Sequence, residues 1–202
     1  MTGSHEIPQL GPNVWLIRHG QTEWSVTGQH SGRYDLPLTP DGEDEARQVA
    51  SLLNGRKFDH VFCSPLRRAA RTCQLAGYDA VATVDPDIQE WDYGACTGKT
   101  ERQMREEYPG WTIWGGPVPQ GESIDDIASR AQRAVGRLRT LPGSVAVFSH
   151  GHFLRVFVTQ WLGLPPQAAK HFALETGSIS VLGTDAGIPA IRKWNINRRT
   201  GS

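Results

Sequence analysis

Short apolar runs alternate with stretches of helical periodicity along most of the chain, the pattern of an α/β fold. Val14-Trp15-Leu16-Ile17 predicts a first buried strand, followed by a loop rich in Gly, Ser and Thr as far as Leu38. Thr39, Pro40 and Asp41 then read as N-cap, first helical position and acidic first turn. Ala46, Val49, Ala50 and Leu53 continue at helical spacing, and Gly55 is a stop signal. Residues 58–63 predict a second strand, Ser64-Pro65 a second N-cap and first position, and residues 66–75 the helix they open. Residues 81–84 predict a short strand before a turn at Asp85-Pro86. From 90 to 121 the periodicity breaks down into Trp91, Trp111, Trp114, glycines and prolines around one short polar helix near 101–108, which reads as a cap-like insertion. Ser123 caps a long helix with Ile124, Ile127, Ala128, Ala131, Val135 and Leu138 on one face. Val145-Ala146-Val147-Phe148 predicts another buried strand, followed by a helix through Trp161 and a closing strand over 178–182. The tail from Asn195 reads as frayed.

No repeat, low-complexity tract or linker divides the 202 residues, and that length suits one well-buried domain over 1–202, with its core at about 14–182. Lys+Arg and Asp+Glu are both 21, so no global basic field points to nucleic acid and any anion site must be local. Cys63, Cys73 and Cys96 form neither an even framework nor a C-x-x-C pair, which fits a reducing compartment. Residues 1–11 are polar, and no run approaches the roughly 18 to 20 apolar residues of a membrane span. A soluble, cytoplasmic protein without a membrane partner is expected.

Both long apolar strands end in histidine, at Arg18-His19-Gly20 and Ser149-His150-Gly151, and the carboxyl ends of such strands are where open α/β sheets collect ligands. A lone histidine is more often structural; two of them with arginines nearby point to an anion. Arg18 adjoins His19, and Arg68 falls in the first turn of the helix after Ser64-Pro65, where free N–H groups and the helix dipole also favour negative charge. Guanidinium forks match phosphoryl oxygens. A neutral imidazole can attack phosphorus and split hydrolysis into two steps through a phosphohistidine, which makes His19 the candidate nucleophile. The leaving oxygen needs a proton. Glu90 precedes the Trp-rich stretch, where a cap would desolvate it and favour its protonated form; the plainer reading is a solvated loop carboxylate. G-x-x-x-x-G-K-[ST], G-x-G-x-x-G, H-E-x-x-H and G-x-S-x-G are all absent, which removes support for P-loop, dinucleotide, zincin and α/β-hydrolase readings. His150-x-His152 lacks a third ligand at recognisable spacing, so no metal site is expected.

Taken together, residues 16–24 (LIRHGQTEW), 35–39 (DLPLT) and 64–69 (SPLRRA), Glu90 with Tyr93-Gly94 and Gly98, Gly121-Glu122-Ser123 and Ser149-His150-Gly151 resemble the histidine phosphatase superfamily, the phosphoglycerate mutase-like group, from about Val14 to about Leu182. The resemblance implies a three-layer α/β/α sandwich with a mostly parallel sheet, a nucleophile at His19, a phosphate pocket of Arg18, Arg68 and His150, and a proton donor at Glu90. It implies no metal or cofactor. Gln21, Ser25, Ser31, Gly32, Arg33 and His152 are read as substrate contacts. Many relatives have Asn where this chain has Ser25, whose shorter side chain would hold phosphate less directly, and Trp where it has Arg33. The segment from Gly98 to Gly121 is shorter than in cofactor-dependent phosphoglycerate mutases and lacks their paired arginines, which favours hydrolysis over mutase chemistry. Similarity to sedoheptulose bisphosphatases, carried by residues 18–39, Trp111-x-x-Trp114 and His150-Gly151-His152-x-Leu154-Arg155, points to phosphorylated sugars. The expected activity is an acid phosphatase-like phosphomonoester hydrolase of small phosphorylated metabolites, favoured by mildly acid pH. The alternatives are a phosphoglycerate mutase and a non-catalytic phospho-ligand-binding module. Trp and Phe on an exposed face would suit a homodimer.

Overall fold

The computed structural model describes residues 12–197; the polar segment 1–11 and the end of the tail fall outside the described residues. In chain order the elements are β1 (Asn13–Arg18), α1 (Glu23–Thr27), α2 (Pro40–Leu53), β2 (His60–Cys63), α3 (Arg67–Leu75), β3 (Ala82–Val84), α4 (Glu101–Glu107), α5 (Ile124–Arg139), β4 (Ser144–Ser149), α6 (Gly151–Leu162), β5 (Ile179–Asp185) and β6 (Ile188–Ile196). Side chains alternate across the two central strands, as a period of two requires. Val14 and Leu16 of β1, with Val145 and Val147 of β4, join one buried cluster; Ile17, Ala146 and Phe148 join the other. Ile127 and Ala131 of α5 and Phe153 and Phe157 of α6 complete the first cluster. Val49 and Leu53 of α2 and Ala69 and Cys73 of α3 complete the second. Helices therefore cover both faces, giving a three-layer α/β/α sandwich. Each fully buried large apolar side chain contributes about 1.5–3 kcal/mol.

The sheet runs β3-β2-β4-β1-β5-β6, with β3, β2, β4 and β1 parallel, β5 antiparallel to β1, and β6 antiparallel to β5. β1 and β4 are neighbours, paired in register from Asn13 with Ser144 to Arg18 with Ser149. The chain leaving β1 reaches α2 on one face, whereas the chain leaving β4 enters α6 on the other. A crevice thus opens at the carboxyl ends of these two strands, the topological switch point of an open sheet. On one side of it, Gly20 and Gly42 allow backbone to meet backbone: a Cβ on Gly20 would lie 2.1 Å from the Gly42 carbonyl oxygen.

Several ends follow the sequence. Thr39 caps α2 through its side chain and Ser123 forms a reciprocal capping box with Asp126 at α5. Two readings are corrected. Ser64 does not cap α3. The helix starts at Arg67 with Leu66 extended as its N-cap and no side-chain cap, and the Ser64 hydroxyl bonds His150 instead. The tail does not fray at Asn195, which lies within β6, a nine-residue strand that the sequence did not announce. Asn195 Oδ1 accepts from the Glu175 N–H, and Asn197 donates to the Glu175 carboxylate.

Candidate active site

His19 leaves β1 with its backbone pinned on both sides: its N–H donates to Ser149 O at 3.0 Å and its carbonyl accepts from Gly177 N at 3.1 Å. The next residue is tied to α3, since Gly20 N donates to Thr72 Oγ1 at 3.1 Å and that hydroxyl donates to the Arg68 carbonyl. The His19 ring is buried. Its Nδ1 faces the Gly20 carbonyl at 2.7 Å, and because a carbonyl only accepts, the proton is on Nδ1 and the lone pair on Nε2. Burial, then the charges of Arg68 and Arg18, push its pKa well below the ordinary imidazole value, so the ring is neutral at neutral pH.

His150 is fully buried, with its ring centroid 5.1 Å from that of His19. Ser64 Oγ is 2.7 Å from its Nε2 and also accepts the Leu66 N–H, an arrangement that allows the hydroxyl to donate to Nε2 with the ring proton on Nδ1. Burial and then the Arg68 charge hold this ring neutral as well. Arg68 is wholly buried; its Nη2 donates to Gly32 O at 2.6 Å and its Nη1 to Tyr34 O at 3.0 Å. Arg18 is partly buried and donates through Nη1 to Leu174 O. Neither arginine has an ion pair among the described residues. Arg18 Nε, Arg68 Nε and His150 Nδ1 are buried without a hydrogen-bond partner. Buried donors left unpaired are costly, as are buried charges without a counter-ion. Three such atoms around one neutral imidazole describe a receptor for an anion.

Glu90 is buried at the amino end of α6, where Oε1 accepts from Trp91 N at 3.0 Å and Phe153 N at 2.8 Å, and Oε2 only from His152 N at 3.3 Å. The plainer reading of a solvated loop carboxylate is thereby overturned. Arg130 on α5 fixes the segment that carries it, donating to the carbonyls of Asp87, Gln89 and Glu90 while paired to Glu122. The cap also supplies Trp91, Tyr93, Cys96, Met104, Trp111 and Ile113 to the first core cluster, so it is integral to the packing.

A cavity of about 90 Å³ opens beside His19, and Arg18, Ser25, Ser31, Glu90 and His152 line it. Arg68 and His150 do not line this cavity; the His150 ring lies against that of His19. Gln21 lines a neighbouring cavity of about 310 Å³ that shares Arg18 and Ser25. Gly32 and Arg33 line neither: Gly32 offers its carbonyl to Arg68, and Arg33 pairs with Asp92 and Glu122 at 3.5 and 3.4 Å on the surface. Ser25 reaches the cavity with its hydroxyl already spent on Thr22, accepting the Thr22 N–H at 2.9 Å in a capping box and donating to the Thr22 carbonyl at 2.8 Å. Gln29 and His30, on an aperiodic loop, line the His19 cavity without a signal in the sequence, and Arg155 in α6, which also lines it, is quoted there only as a motif position. Tyr93, quoted only as a motif position, bonds His152 Nδ1 through its hydroxyl. Among the described residues no group of three or more side chains is placed to hold a metal ion, no helix is long and apolar enough to cross a membrane, and all three cysteines are buried and unpaired.

A mostly parallel sandwich sets two neutral histidines at the ends of adjacent strands, with Arg18 at the end of β1 and Arg68 at the start of α3, both without an ion pair among the described residues, and the chain belongs to the histidine phosphatase superfamily (branch 1), whose family model matches residues 14–197. It is 39% identical to an acid phosphatase of Mycobacterium tuberculosis over 86% of this chain and 87% of that protein, and 34% identical to sedoheptulose 1,7-bisphosphatase of Saccharomyces cerevisiae over 80% and 71%. A solved structure of a Mycobacterium tuberculosis open reading frame superposes with a TM-score of 0.85 at 35% identity, covering 92% of this chain and 98% of the other. The enzyme is a histidine phosphatase.

Proposed function

We propose that the protein hydrolyses phosphomonoesters of small phosphorylated metabolites in two steps through a phosphohistidine at His19. The observation that carries this reading is the buried, neutral His19 ring with its lone pair on Nε2, beside three unpaired nitrogens of Arg18, Arg68 and His150. In the first step Nε2 attacks phosphorus, the bond from phosphorus to the ester oxygen breaks, and the leaving alkoxide takes a proton from the Glu90 carboxyl. In the second, Glu90 takes a proton from water, whose oxygen attacks phosphorus; inorganic phosphate departs and His19 recovers its lone pair. Glu90 Oε2, with a single long hydrogen bond, is the oxygen free to exchange that proton. Arg18, Arg68 and the His150 Nδ1–H neutralise the three non-bridging oxygens as charge spreads over them. The similarity to an acid phosphatase and to a sedoheptulose 1,7-bisphosphatase supports hydrolysis of phosphorylated metabolites, sugar phosphates among them.

The test is rapid acid-free quenching during turnover of a monoester panel. A base-stable, acid-labile phosphoryl adduct on His19 is expected, and His19→Ala is expected to abolish phosphate release while leaving the melting temperature within a few degrees. Turnover without the adduct would exclude the mechanism. Phosphoryl transfer between monophosphates that requires a bisphosphate primer, in place of phosphate release, would identify a mutase.

A further inference from the structure

The leaving-group side of the cavity carries a charge that the chemistry above does not use. Three charged residues line the cavity: Arg18 and Glu90, both already assigned, and Arg155. Arg155 projects from α6 one turn after Gly151. Its Nε donates to Ala169 O and its Nη2 to Lys170 O, both at 3.1 Å, and its Cζ lies 4.4 Å from the Trp114 ring centroid. Those contacts fix the guanidinium plane, and Nη1 makes no hydrogen bond among the described residues. No carboxylate among the described residues forms an ion pair with it. Apart from Arg18 and Glu90 the lining is neutral: burial keeps His30 and His152 uncharged and holds the Tyr93 phenol in its protonated form. His30 adds a buried Nε2 without a partner. A stacked, immobilised cation with one uncommitted donor, facing a neutral aromatic wall, is suited to a second anion.

We infer that Arg155 is a specificity-determining residue which receives a second anionic group, a carboxylate or a phosphate, carried by the leaving alcohol of the substrate. The preferred substrates are then small metabolites with two anionic groups, one transferred to His19 and the other left on the alcohol. The inference rests on the hydrolase reading.

Two matched pairs test it with the purified protein: phosphoglycerate against glycerol phosphate, which differ by a carboxylate, and a ketose bisphosphate against the corresponding monophosphate. The wild type is expected to favour the more anionic member of at least one pair by about ten- to a hundredfold in kcat/KM, the worth of one charge-assisted hydrogen bond. Which pair shows the preference tells a carboxylate subsite from a phosphate subsite. Arg155→Gln is expected to collapse that ratio towards one, mainly through KM, and Arg155→Lys to keep most of it. No preference in the wild type, or a ratio unchanged in Arg155→Gln, overturns the inference while leaving hydrolysis intact. A Lys variant that loses the ratio as fully as Gln would show that stacking on Trp114, and not charge, is what the residue provides. Failure to release phosphate from any monoester would remove the hydrolase reading itself.

Discussion

At the scale of single residues, the site depends on where protons sit on two imidazoles. The Gly20 carbonyl sets the His19 tautomer through the backbone, but the His150 tautomer depends on one side chain, Ser64, at 2.7 Å. Ser64→Ala removes the donor facing Nε2, so the ring proton is no longer confined to Nδ1, the atom proposed to face the phosphoryl oxygens. We expect kcat/KM to fall about tenfold for every monoester, alongside a stability loss of about 1 kcal/mol, the usual worth of one hydrogen bond. A melting-temperature change without a change in kcat/KM would show that Ser64 is merely structural. His19, Arg18, Arg68 and His150 could be read from the chain because they lie at strand ends or a helix start that periodicity locates, whereas Glu90 was signalled only by the Trp-rich stretch that follows it. His30 could not, since its loop has no period and its burial comes from Tyr93 and Trp111 folding over it. Arg155 did leave a trace: it is a charged residue in a helix whose neighbours from Phe153 to Val158 are apolar and buried.

At the scale of elements, α6 does two jobs at its first turn: its backbone N–H groups receive Glu90, and its first residue must clear Arg18. A Cβ on Gly151 would lie 3.1 Å from Arg18 Cζ and 3.2 Å from its Nε, so the guanidinium would have to move by a few tenths of an ångström. Alanine is the better helix former by up to about 1 kcal/mol. Gly151→Ala is therefore expected to leave the melting temperature unchanged or higher while lowering kcat/KM, by up to about a hundredfold if the guanidinium moves by as much as 1 Å. Unaltered kinetics would show that Arg18 moves without consequence. Helices α2 and α5 were legible to within a residue or two because their caps are local: Thr39 and Ser123 satisfy N–H groups only three residues away. β6 was not legible. It is an edge strand without a clean inside-outside alternation, and the turn leading into it places Ala186 and Gly187 at φ 48° and 82°. That turn shape is ordinarily announced by Asn-Gly or Asp-Gly, and Ala-Gly hides it.

For the whole molecule, placing the crevice between two packed layers means that His19 and His150 are buried with it and His30 and His152 half-buried. Burial is the largest cause holding His19, His30, His150 and His152 below the ordinary value of 6.5, with His30 lowered to about 4 and the other three well below 6.5. Above pH 6.5 these rings are neutral in both folded and unfolded chains and make stability independent of pH. As pH falls below 6.5 the unfolded chain takes up protons that the folded chain refuses, so stability declines until each folded pKa is reached. Each such ring contributes a slope of about 1.4 kcal/mol per pH unit. The carboxylates held below their ordinary values by partners, such as Asp126 capping α5 and Glu122 paired with Arg130, lose their contribution only near and below 4.5, so the two windows separate. Urea unfolding from pH 7.5 to 4.5 is expected to show a flat region above about 7 and a fall below it that corresponds to more than two protons taken up. His30→Asn is expected to reduce that slope by about 1.4 kcal/mol per pH unit between 6.5 and 4 without affecting the plateau. A transition midpoint constant from pH 7 to 5 would mean that the histidines gain protons in the folded state. The neutral nucleophile inferred for His19 would then be lost with them.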